Sequence, residues 1–115
     1  MRSAPVPYDH ATPLVVVTTR SYCCIRVSIY GEIDRTNHRE LATALSNVHL
    51  DGAATVDVHL TYLSFCDSEG LHLMVQFLRN AAAFGCNTSF RDASPAIRTA
   101  ARILRLHEGV RFINS

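Results

Sequence analysis

From residue 22 to residue 30 every second side chain on one face is apolar, and that alternation limits what the segment can become. Cys23, Ile25, Val27 and Ile29 fall on one side of an extended chain; Cys24, Arg26 and Ser28 fall on the other. A period of two marks a strand buried on one side only, so it demands a second layer to cover that side. Just upstream, the β-branched run over residues 14–19 (Leu-Val-Val-Val-Thr-Thr) reads as a strand close enough to pair with it as a hairpin. Gly31 reads as the end of the second strand.

The covering layer is visible further on, where the period changes. Asn37 followed by Glu40 has the spacing of a capping box, and Leu41, Leu45 and Val48 then recur at helical intervals until Asp51-Gly52 breaks the pattern. Residues 55–60 alternate again with Val56, Val58 and Leu60 inward, and a whole helix separates this strand from the previous one. That is the requirement for parallel neighbours joined by a right-handed crossover. After a loop over residues 61–67, a second helix is expected from Ser68 or Glu69 to about Phe84. Its apolar residues (Leu71, Leu73, Met74, Val75, Phe77, Leu78, Ala81, Ala82) cover more than one stripe, so it is heavily buried, with Gly85 as its left-handed stop. Residues 88–91 make a short strand. Ser94-Pro95 then starts a third helix, with a hydroxyl cap and proline at the first helical position, inner face Ile97, Ala101 and Leu104, and Gly109 as its close. Residues 110–113 are left as a last short strand or an extended tail. The order β-β-α-β-α-β-α predicts an α/β domain with a mixed sheet of four to five strands packed against helices.

Size and composition agree with one such domain over residues 14–115. A chain of 115 residues with 48% hydrophobic content builds one core without a metal or disulfide staple. Residues 1–13, with Pro5, Pro7 and Pro13, read as an extended flexible arm; they contain no apolar stretch of signal-peptide length. Eleven basic residues against ten acidic ones leave a net charge of +1, with no basic run to hold nucleic acid or an anionic membrane surface. Cys23, Cys24, Cys66 and Cys86 include no C-x-x-C pair, and adjacent cysteines on a strand point to opposite faces, so free thiols in a reducing cytoplasm are expected. The six histidines lack metal-ligand spacing, and no phosphate-binding glycine loop is present; no metal and no cofactor are implied. Ser68 and His72 stand four apart, but Asp67-Ser68-Glu69-Gly70 lacks the leading glycine of a nucleophile elbow, so the chain does not read as an enzyme. Arg98, Arg102 and Arg105 make a basic stripe that reads as a solvated helix face.

Two stretches together carry more information. One is Gly31-Glu32-Ile33-Asp34, between the second strand and the first helix; the other is Leu60-Thr61-Tyr62-Leu63-Ser64-Phe65-Cys66-Asp67-Ser68-Glu69-Gly70-Leu71, between the third strand and the second helix. At this separation they resemble the bacterial anti-sigma factor antagonist branch of the STAS family (sulphate transporter and anti-sigma factor antagonist), with its patterns G-E-L/I-D and D-L-S-x-L/V-x-F-x-D-S-x-G-L. Asp92-Ala93-Ser94-Pro95 also looks like the family's lead into its last long helix. The resemblance runs from about Leu14 to Ile113. It implies a STAS-type domain that binds an anti-sigma factor serine kinase, with a phosphatase to reset it and Ser68 as the phosphorylated residue. Asp34, Asp67, Ser68, Glu69 and Gly70 are then the partner-binding positions. Three residues depart from the pattern. His59 stands where an aspartate is usual, with Asp57 two residues earlier on the same face; Tyr62 replaces a small residue, and Glu69 a serine or alanine. The same resemblance leaves open a scaffold role without phosphorylation, in a stressosome or transporter assembly. Edge strands also allow a homodimer.

The chemistry of such a switch is simple. Phosphorylation adds about −1.5 to −2 charge at a single hydroxyl. A helix N-terminus accommodates that anion, so the fold survives it. A docked partner need not, because two unit charges about 4 Å apart interact with roughly 4 kcal/mol at an effective dielectric near 20. Inverting a two-state equilibrium from 1:99 to 99:1 takes about 5.5 kcal/mol, so one phosphate supplies most of what is needed. Asp67 and Glu69 make this corner acidic beforehand.

Overall fold

The computed structural model describes residues 13–114. The expected arm over residues 1–13 lies outside them, apart from Pro13. Strand β1 (Val15–Ser21) and strand β2 (Cys24–Ile33) form the antiparallel hairpin, with Val16 opposite Ile29 and Thr18 opposite Val27. Tyr22 turns the chain with φ of 56°, so Tyr22 and Cys23 belong to the turn and Cys23 is exposed instead of sharing the inward face. Helix α1 (His38–Ser46), strand β3 (Thr55–Cys66), helix α2 (Ser68–Ala83), strand β4 (Asn87–Arg91), helix α3 (Pro95–Ile103) and strand β5 (Phe112–Ile113) follow. The five strands lie in chain order across one sheet, and β2 to β5 are parallel. The last segment is thus a strand, paired through Phe90–Phe112 and Arg91–Ile113.

The alternation works as the sequence implied. Ile25, Val27 and Ile29 pair beside Val56 and Val58, and Phe90 pairs beside Val58, so their side chains share one face. They merge with Leu41 and Leu45 of α1, Leu71, Met74, Val75 and Leu78 of α2, and Ile97 and Ala101 of α3 in one core. The other face shows Arg26, Ser28, Asp57, His59 and Arg91, and among the described residues no helix covers it.

Two strands run further than the sequence suggested. Gly31 does not end β2, and residues 61–66 are not a loop; both segments continue as a parallel pair to Ile33 and Cys66. The reason is two irregularities in register, one between Ser28 and Tyr30 and one between Gly31 and Glu32. Each inserts an extra residue into β3 and breaks the period of two that strand recognition relies on. Gly31 sits at the second with φ of 99°, a conformation glycine adopts without steric cost.

Helix ends differ as well. In α3, Leu104 is the exposed C-cap and not an inner-face residue; Arg105, with φ of 58°, reverses the chain and Leu106 takes the buried place. Arg105 therefore drops out of the basic stripe. The start signal itself holds, since Ser94 Oγ accepts from the Ile97 amide at 3.2 Å with Pro95 behind it.

Asn37 is the N-cap of α1, but its side chain makes no cap hydrogen bond and the expected capping box does not form. It faces backwards instead. Its Oδ1 accepts from the Asp34 amide at 3.0 Å and its Nδ2 donates to the Glu32 carbonyl at 2.9 Å. Two side-chain bonds into the preceding turn, each worth about 0.5–1.5 kcal/mol net, matter more here than one cap bond. Asn37→Ala should therefore cost about 1–3 kcal/mol in urea denaturation. Glu40→Ala, which a capping box would make costly, should stay within about 0.5 kcal/mol of the parent.

Candidate functional site

The register of β2 against β3 builds the site. Ile33 pairs with Cys66, so Asp34 and Asp67 leave the sheet side by side at the carboxyl end of adjacent parallel strands. Helices α1 and α2 begin within a few residues of that point. Open α/β sheets place functional groups at this edge.

Asp67 is the N-cap of α2. Its Oδ1 accepts from the Gly70 amide at 2.9 Å, its own amide donates to the Ile33 carbonyl at 3.1 Å, and its carbonyl receives the Leu71 amide. Asp67 is therefore the cap, and Ser68 occupies the first helical position with its side chain exposed. Glu69 is exposed beside it. Gly70, grouped above with the partner-binding positions, is buried. A Cβ there would lie 2.3 Å from Ile33 Cγ2, so its role at this corner is to let α2 approach the end of β2.

Asp34 folds its own turn. Its Oδ1 accepts from both the amide and the hydroxyl of Thr36. The Thr36 hydroxyl first, and the amide next, hold the carboxyl below its ordinary pKa. Half-buried and so engaged, Asp34 shapes the entry to α1.

A histidine does reach the serine corner, but it is not His72. Ser68 and His72 are both exposed and no hydrogen bond joins them. His38, the first residue of α1, sets Nε2 at 2.8 Å from Asp67 Oδ1 and 2.9 Å from Oδ2. The two groups are largely sheltered, with side chains 22% and 30% exposed. Sequence reading missed this contact because the partners stand 29 positions apart; the one available signal was a histidine directly after an N-cap asparagine, four residues beyond Asp34. One of the corner's carboxylates thus already holds an imidazole partner, which the local sequence pattern did not show. Phe65 was also not singled out from the sequence. It is 52% exposed on the same strand end, a large apolar ring next to the acidic tip.

Cys66 is half-buried, and burial first, then the Asp67 charge, push its thiol up to about 12. Its Sγ donates to the Asp67 carbonyl at 3.3 Å, so it acts as a neutral packing group. All four cysteines are free thiols. Among the described residues no group of three or more His, Cys, Asp or Glu side chains is arranged to hold a metal ion. No helix among them is long and apolar enough to cross a membrane.

Comparison with known proteins agrees with this fold. The family described as "Mlab, STAS domain" matches residues 17–113. The chain belongs to the STAS domain family. Among solved structures, an anti-sigma factor antagonist from Mycobacterium paratuberculosis superposes with a TM-score of 0.77 at 19% identity, covering 88% of this chain and 86% of that one. The Bacillus cell fate determinant SpoIIAA in its phosphorylated form gives a TM-score of 0.65 at 20% identity, covering 85% and 90%. No curated protein sequence matches the chain.

Two outcomes follow from the packing. Alanine is the better helix former by about 1 kcal/mol, yet at position 70 the clash with buried Ile33 has no room to relax and overpacking costs about 1–3 kcal/mol. Gly70→Ala should lower stability in urea denaturation. In native protein, Cys23 and Cys24 should react with a thiol reagent near neutral pH, while Cys66 and Cys86 should react only after unfolding; mass mapping of the labelled peptides reads this directly.

Proposed function

We propose that this chain is an anti-sigma factor antagonist that binds an anti-sigma factor serine kinase and is released by phosphorylation of Ser68, in the cytoplasm of a bacterium. The observation that carries the reading is an exposed serine at the first turn of α2, directly after a capping aspartate that fixes where the helix begins. Asp34, Asp67, Ser68 and Glu69 form the partner-facing surface, with Gly70 beneath them and Phe65 as an apolar anchor at its rim. Buried aromatic anchors carry much of the energy in protein interfaces.

Modification at this place spares the fold. Ser68 takes no part in the cap and contributes nothing to the core, so a phosphate there meets solvent and the helix N-terminus. A docked kinase meets it at contact distance. Affinity falls through the partner, not through refolding, and a phosphatase restores the first state. The similarity to an anti-sigma factor antagonist and to SpoIIAA supports this reading at the level of fold.

The test is to incubate the full chain with ATP and each kinase-type protein encoded beside its gene, then map phosphate by mass spectrometry. Phosphate is expected on Ser68; its absence with every such kinase defeats the switch. Ser68→Ala should keep kinase binding, whereas Ser68→Glu should weaken it about tenfold, or about 1.4 kcal/mol. Equal affinities for the two variants remove the electrostatic argument. Co-purification with a transporter ATPase or a stressosome shell, and with no kinase, selects the scaffold role instead.

A further inference from the structure

The helix-free face of the sheet holds a feature the switch does not use. A cavity of about 180 Å³ opens there, lined by Arg26 and Ser28 of β2, His59 and Thr61 of β3, and the rings of Tyr30 and Tyr62. The two tyrosines stack with centroids 5.4 Å apart and planes within 5°, making a firm wall. That wall exists because the first irregularity in β3 sets Tyr62 directly beside Tyr30. Neither the Arg26 guanidinium nor the Ser28 hydroxyl has a hydrogen-bond partner among the described residues.

The charges around the cavity are unevenly committed. On β3, Asp57 accepts from the Ser89 hydroxyl and stands 3.9 Å from Arg91 of β4. Asp92, after β4, accepts from the Thr61 hydroxyl at 3.2 Å. On β2, Arg26 stands opposite Asp57 in the ladder, with no hydrogen bond or ion pair joining the two, and it lines the recess together with His59. Burial, then the positive charge of Arg26 and more weakly that of Arg91 opposite it on β4, push the imidazole below its ordinary pKa, outweighing the opposite pull of Asp57 and Asp92. Two groups that can both be cationic share one small polar recess, and an anion between them would relieve the repulsion.

We propose that this recess binds a small oxyanion, a phosphate or a carboxylate, between Arg26 and His59, with Ser28 donating a further hydrogen bond. Size restricts the ligand. Pockets for drug-sized molecules run to roughly 300–1,000 Å³, so this one takes the charged group and little else. Arginine matches an oxyanion with paired donors, and a neutral histidine gains a proton as the anion enters. Binding and protonation are therefore linked, and each must favour the other by the same factor.

The experiment follows the ring protons of each histidine by NMR in the full chain while pH is varied. Sodium chloride is replaced at constant ionic strength by sodium phosphate in one arm and sodium acetate in another. The His59 midpoint should rise by about 0.5 pH unit, the mark of roughly threefold tighter anion binding to the imidazolium form. Exposed His49 and His107 should stay in place, and Arg26→Gln, which removes no tertiary hydrogen bond, should abolish the His59 shift. A rise with phosphate alone assigns the site to phosphate; a rise with acetate as well assigns it to oxyanions generally. A His59 midpoint unmoved by both anions, matched by His49 and His107, or still moving in Arg26→Gln overturns the proposal.

Discussion

The carboxylate of Asp67 is the joint on which the candidate functional end of this domain depends. One side chain caps α2 through the Gly70 amide and receives the imidazole of His38 from α1, while the same residue's backbone ties onto the end of β2 through Ile33. The end of β2 and the start of α1, about thirty residues upstream, are thereby fixed to the start of α2 within one residue's reach. Because the cap is an acid and not Ser68, the serine hydroxyl is spared structural duty. A residue that held the helix could not be modified without disturbing it.

Everything behind that joint is the ordinary consequence of a sheet covered on one side. The helices seal the face that carries Val27, Val58 and Phe90, and the opposite face keeps Arg26, Asp57 and His59. The two proposed functional regions divide along the same line. The serine tip lies at the carboxyl edge, where α1 and α2 begin. The small recess lies on the face that no helix covers among the described residues, and it owes its shape to the tyrosine pair.

Much of this was legible in the residues. The period of two in β2 and in the first half of β3, the glycine stop after α2, and Ser94-Pro95 at α3 each rest on local chemistry that nothing distant overrides. The second half of β3 was not legible, since two inserted residues put Leu63 inward and leave Tyr62 and Phe65 out, which no simple alternation describes. Asn37 misled for a related reason: its side chain had a better use in the turn behind it than in the helix ahead. At the candidate site, the motif pointed to Asp34, Asp67, Ser68 and Glu69, while His38 escaped notice because a contact across 29 positions leaves no periodic trace.

The uneven lengths of the strands have a mechanical consequence. Pairing between β3 and β4 stops at His59 and Arg91, whereas β3 continues alongside β2 to Cys66. The tip that bears α2 therefore stands on a two-stranded ribbon cantilevered from a broader slab. Ile33 and Leu63, buried in the core, tie that ribbon back to the slab, so side-chain packing braces the tip where the outer ladders run out.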